Sequence, residues 1–324
     1  MRMLKSICVY TVMMCWGLLC SSPVLSTEEP DRSLYSRNEV ALLAQCQVYA
    51  NKKQLNPIIM AVVYRPNALL SSASSSSPSS SSSLSHFDYD SALRPEYCEF
   101  FTQEVLSNGE AAIRILYVQG DDPIAEKVLI GDFFTINPEF LQVDYRFGEL
   151  RGARRQNASW QLLYSKVHFN SLLKNPSEFQ TVFRSLLIDR NAVDKRTAEA
   201  TSISKTVDVI DAGFNAWVKK MWSEWIAISA SNVSNKNTSP LTMVMASPLH
   251  GKAIKLKGEV VSDCSGGVLC LKVGAANTFL SWFVDPIYLE YNKNSRQLLR
   301  YQGVVNLRDQ EGETMSANII YQYF

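Results

Sequence analysis

The chain's imidazoles are His86, His168 and His250, and they stand far apart in sequence. No H-E-x-x-H pair, no G-x-S-x-G turn and no phosphate-binding glycine loop accompanies them, so metal hydrolysis, acyl transfer and nucleotide chemistry have no local signature. Ser171-Leu-Leu-Lys174 and Ser202-Ile-Ser-Lys205 fit S-x-x-K, but a chain with this much serine and lysine yields about two such matches by chance. Asp309-Gln-Glu-Gly312-Glu313 offers carboxylates to a hard cation. It lacks the alternating ligands and distal glutamate of an EF-hand, and its position predicts a hairpin turn. No catalytic residue, metal ligand or cofactor is therefore predicted, and the chain reads as a binding protein and not as an enzyme.

Two other groups of residues carry more. Phe214, Trp217, Val218, Met221, Trp222 and Trp225 recur at helical spacing, which predicts one continuous helix with Asp211 as its N-cap. Such a stripe packs a core by default. The alternative is that Phe214, Trp217, Met221, Trp222 and Trp225 line a cavity, their rings and the methionine offering an adaptable apolar wall to an acyl chain. Asn306, Arg308 and Asp309 form the second group, a polar motif of unknown role. Its plain reading is Asn and Asp bonding their own turn and Arg308 pairing with a carboxylate.

These residues need elements to hold them. Ser36-Arg-Asn-Glu39 has capping-box form and predicts a helix from about Arg37 to Ala50. Pro57 to Tyr64 reads as a buried strand, and residues 70–92 as a Ser-rich disordered insertion. Asn108-Gly109 predicts a hairpin between Tyr97–Leu106 and Ala111–Val118. Strands follow at Ala125–Phe134, Phe140–Phe147 and Trp160–Val167, whereas 171–190 is ambiguous. The C-terminal part predicts a meander: Leu241–Ser247, Ala253–Val261, Val268–Val273, Phe279–Val284, Ile287–Tyr291, Leu298–Leu307 and Thr314–Tyr323. The expected fold class is α+β, mainly antiparallel β: a curved sheet or partial barrel with the tryptophan-rich helix packed on its concave face. The expected organisation is 27–69 as N-terminal helix and strand, then the insertion, then 93–324 as the β-rich domain.

The N-terminus predicts export. Arg2 and Lys5 precede an apolar run from Ile7 to Cys20 and a small-residue cleavage site ending at Ser26, the order of a signal peptide spanning 1–26. The run is too short to span a bilayer, and no later stretch is apolar enough. The chain of 324 residues has 32 basic and 31 acidic residues; two of the basic ones leave with the leader, so the mature charge is about −1. That leaves no basic field for nucleic acid. Four mature cysteines remain, Cys46, Cys98, Cys264 and Cys270. The short Cys264–Cys270 loop with its Gly-Gly favours a local bridge, which pairs Cys46 with Cys98, while C-x5-C without histidine is poor zinc spacing. Asn157, Asn232 and Asn237 open N-x-S/T triplets, the form of an N-glycosylation acceptor.

Val209-Ile-Asp-Ala-Gly-Phe214, Val284-Asp-Pro-Ile-Tyr-Leu-Glu-Tyr291 and the run from Leu298 to Gly312 resemble a family of exported proteins of Gram-negative bacteria whose function is not established. Ala125-Glu-Lys127 and Val143-Asp-Tyr-Arg146 extend the likeness to about two-thirds of the chain. The resemblance implies a periplasmic β-rich protein and supplies no activity. The resulting expectation is an exported soluble protein that binds or carries a lipid or other apolar small molecule in the envelope. The alternative is a structural or partner-binding protein with a filled core.

Overall fold

The structure, a computed structural model, describes residues 34–65, 94–106, 108–156, 159–166, 199–203, 206–231, 240–248, 251–261, 264, 266–277 and 285–324. The expected leader, the Ser-rich insertion, the segment 171–190, the strand at 279–284, the three histidines and the asparagines of the three triplets lie outside these residues.

Helix α1 spans Arg37–Lys52. Ser36 and Glu39 close the capping box: the Glu39 amide donates to Ser36 Oγ (3.3 Å) and the Ser36 amide to Glu39 Oε2 (2.7 Å). The strands are β1 Ile59–Tyr64, β2 Tyr97–Val105, β3 Ala111–Gln119, β4 Asp122–Ile130, β5 Glu139–Asp144, β6 Glu149–Gln156, β7 Ser159–Lys166 and β8 Glu199–Ile203. They continue as β9 Val209–Ile210, β10 Leu241–Ser247, β11 Lys252–Val260, β12 Val268–Ala275, β13 Ile287–Asn292, β14 Leu298–Arg308 and β15 Thr314–Tyr323. All join one large, mostly antiparallel open sheet in the order β8-β7-β6-β5-β4-β3-β2-β1-β15-β14-β13-β12-β11-β10-β9. Only β9 pairs parallel, with β10.

β1 sits at the centre, between β2 and β15, and both of its faces are covered, which is why it reads as an unbroken apolar run. Met60, Val62 and Tyr64 pack with Leu42, Leu43, Cys46 and Tyr49 of α1. Ala61 and Val63 point the other way, into a cluster with Tyr97, Ile113, Tyr117 and Ile319. This second face is concave. β8 lies near β11, and Val305, Leu307 and Met315 of the β14–β15 hairpin pack against Phe140, Ala153 and Leu162 of β5, β6 and β7. The sheet therefore curls so that strands distant in its order meet across its hollow.

Both disulfides have the expected pairing. Cys46–Cys98 ties α1 to β2 (Cα–Cα 5.8 Å), and Cys264–Cys270 closes the loop entering β12 (6.2 Å). β6 and β8 had no sequence expectation. β6 reads ELRGARRQ: charged residues occupy its inward positions, so the alternation that marks a half-buried strand is missing.

The tryptophan segment differs from the expected single helix. Asp211–Gly213 is a 3-10 turn, α2 spans Phe214–Lys220, and α3 spans Trp222–Ser231 after a break at Met221. The amide of Met221 still bonds the Trp217 carbonyl, and that of Trp225 the Met221 carbonyl, both at 3.1 Å. Asp211 is not the cap. Gly213 holds that position without a side-chain bond, and a Cβ there would lie 1.8 Å from the Ile136 carbonyl oxygen. The Asp211 carboxylate instead reaches Lys127.

Candidate functional site

The concave face and the segment Asp211–Ala216 enclose a cavity of about 680 Å³. Strands β1 to β4 form one wall and β10 to β15 the other, with Phe214 and Ala216 between them. The lining is mainly apolar and includes Phe101, Ile113, Ile115, Leu129, Leu289 and Ile319.

Strand register builds the floor. Tyr117 stands opposite Glu99, Glu99 opposite Ala61, and Ala61 opposite Tyr321, so these four form one row across β3, β2, β1 and β15. Tyr117 is flanked on its other side by Ala125. Ala61 is fully buried in the row, and Tyr117, Glu99 and Tyr321 are its members that line the cavity. Tyr117 also meets Tyr97 edge-on at 6.0 Å, and Tyr321 lies 6.4 Å from Phe101.

The polar groups here are few and deeply placed. Glu99 is only 6% exposed, and among the described residues its carboxyl makes no hydrogen bond. Burial pushes its pKa up to about 7, against a partial pull downward from Lys127. Lys127 is buried as well; its Nζ lies 3.3 Å from Asp211 Oδ2 and 4.6 Å above the Phe140 ring. Burial keeps the Tyr117 and Tyr321 phenols neutral, well above their ordinary pKa. Tyr301, another lining residue, donates its hydroxyl to the Val304 carbonyl. The more exposed lining residues Asp132, Lys252 and Asp285 carry the remaining charge.

The structure divides the aromatic stripe. Phe214 lines the cavity. Trp217, Trp222 and Trp225 are buried in a packed layer with Met243, Leu269, Leu271, Leu289 and Tyr291, and Met221 lies at the edge of that layer. Trp217 meets Trp225 edge-on at 6.1 Å, and Trp222 meets Tyr291 at 5.8 Å. Trp225 seats on Gly258, where a Cβ would come within 2.6 Å of the indole. Its Nε1 is buried without a hydrogen-bond partner among the described residues.

Asn306, Arg308 and Asp309 lie at the end of the β14–β15 hairpin. Asn306 lines the cavity, and its carbonyl accepts from Gln142 Nε2 (3.2 Å) and Arg151 Nη1 (3.1 Å). Arg308 makes a forked bond to Glu149 (Nε–Oε2 3.0 Å, Nη2–Oε1 3.2 Å), and its own carbonyl accepts from Arg146 Nη2 (2.8 Å). Asp309 Oδ1 caps the turn by accepting the Glu313 amide. Burial raises the Glu149 carboxyl, but Arg308, Arg151 and Tyr164 outweigh it and hold the pKa below the usual range. The motif thus clamps the hairpin to β5 and β6 across the hollow.

Sequence reasoning missed Glu99, Lys127, Tyr117 and Tyr321. A signal for the first was present: in Tyr97-Cys-Glu-Phe-Phe101, alternation puts Glu99 on the face shared by Tyr97 and Phe101, an acid at an inward position. Among the described residues no group of His, Cys, Asp and Glu could hold a metal ion, and no helix is long and apolar enough to cross a membrane. No family model, curated protein or solved structure matches this chain.

Proposed function

We propose that the protein binds an apolar or amphiphilic small molecule, of the size of a lipid chain, in the hollow between the sheet and Phe214. The supporting observation is the cavity itself: about 680 Å³, within the roughly 300–1,000 Å³ of small-molecule sites, mainly apolar with a few convergent polar groups. Each methylene taken from water contributes about 0.8 kcal/mol, so a long chain reaches micromolar affinity after immobilisation costs. The role is binding or carriage, not catalysis. The leader-like N-terminus supports a reading of export to the periplasm, and the two disulfides are compatible with an oxidising compartment. Nile red, a neutral apolar dye, should bind the delipidated chain at one site with blue-shifted emission and be displaced by a long-chain alcohol. Absence of saturable binding would leave the partner-binding alternative in its place.

A further inference from the structure

We infer that the cavity selects an amphiphile whose polar end is an uncharged hydrogen-bond donor, a hydroxyl, received by the Glu99 carboxyl, and that it rejects the same chain ending in a carboxylate or phosphate. This rests on the ligand-binding reading above.

Glu99 is more than nine-tenths buried, lines the cavity, and has no hydrogen-bond partner among the described residues. An acceptor desolvated in this way costs free energy unless something donates to it. No described residue supplies that donor. The buried cation that faces it, Lys127, is engaged by Asp211 and the Phe140 ring. Its charge is shared with Asp211 and offsets that of Glu99 only in part. Glu99 shares its row with the neutral phenols of Tyr117 and Tyr321, which line the same cavity. A ligand hydroxyl would satisfy the acceptor. A carboxylate or phosphate would instead set two like charges together in a water-poor site, where repulsion is poorly screened.

The test compares dodecanol, dodecanoate and dodecyl phosphate, each displacing Nile red from the full mature chain at about pH 9, where Glu99 is ionised. The expected result is that dodecanol binds at least about tenfold tighter than either anion. Glu99→Gln, of nearly the same shape, should shrink that ratio by about tenfold, each amphiphile being read against the Nile red affinity measured on the same variant. A pH series on the unaltered chain gives a second reading. The groups facing Glu99 are Lys127, Asp211 and the neutral Tyr97, Tyr117, Tyr301 and Tyr321. Protonation of Glu99 below about pH 6 should therefore narrow the preference over dodecyl phosphate. Nile red binding with no head-group preference, or a preference that Glu99→Gln leaves intact, would overturn this inference alone. No saturable binding of dye or amphiphile would overturn the cavity reading with it.

Discussion

Within one short stretch, Asp211 to Ser231, the molecule solves the same problem in two ways. At the far end, Trp217, Trp222 and Trp225 fill the space above the C-terminal strands, and Gly258 removes its own side chain to admit an indole. At the near end, Phe214 covers a hollow over β1 to β4 whose floor holds a buried acid without a hydrogen bond among the described residues. Under the proposed function, the difference separates stability from binding. The packed end uses dispersion and burial to hold the fold, whereas the open end gives up both and retains a desolvated carboxyl, a trade expected where a site must receive something.

The largest effect expected is at the packed end. Trp225→Ala should cost about 3–5 kcal/mol in urea unfolding, because a fully buried indole leaves a cavity that neighbours refill only partly. A loss under 1 kcal/mol would show that this layer is as loose as the other. At the open end the sign reverses. The Glu99 pKa is raised in the folded state, so stability is fully present below the unfolded carboxylate pKa and falls as pH rises to about 7. Glu99→Gln should then raise stability by up to about 3 kcal/mol at pH 8 and leave it unchanged at pH 4, as read from paired denaturation curves.

The hairpin clamp gives an intermediate effect. Arg308→Ala leaves Glu149, 2% exposed, with Arg151 as its remaining ion pair among the described residues, and should cost about 2 kcal/mol near neutral pH. The Glu149 pKa is depressed in the folded state. That contribution is therefore present above the ordinary carboxylate pKa and disappears as pH falls through the depressed value, so the mutant and the parent should converge in acid. Phe214→Ala is the mildest in stability, about 1 kcal/mol for a half-buried ring, yet it should weaken Nile red binding severalfold. Equal losses of stability and binding at Phe214 and Trp225 would erase the distinction between the two ends.

Much of the sheet was legible because its strands obey local rules. The β2–β3 hairpin follows from Asn108-Gly109, β10 and β15 match the expected ends, and the Ser36–Glu39 box marks the start of α1. β6 was hidden because Glu149 and Arg151 occupy inward positions, where their partners come from a hairpin about 160 residues on. The site was less legible than the fold. Periodicity shows that Phe214, Trp217, Met221, Trp222 and Trp225 share a face, but not which of them meets packed side chains and which meets empty space. That depends on how far the sheet curls. Glu99 was readable as an inward acid within an apolar strand, but its missing hydrogen-bond partner emerges only once β1, β3 and β15 lie beside it.

A crystal structure of the delipidated mature chain with ω-bromododecanol tests the central claim most directly, because the bromine marks the end of the bound chain. The account predicts a single anomalous peak in the hollow bounded by Phe101, Leu129 and Phe214, with the hydroxyl within hydrogen-bond distance of Glu99. No peak there at saturating ligand, or a peak among Trp217, Trp222 and Trp225, would contradict it.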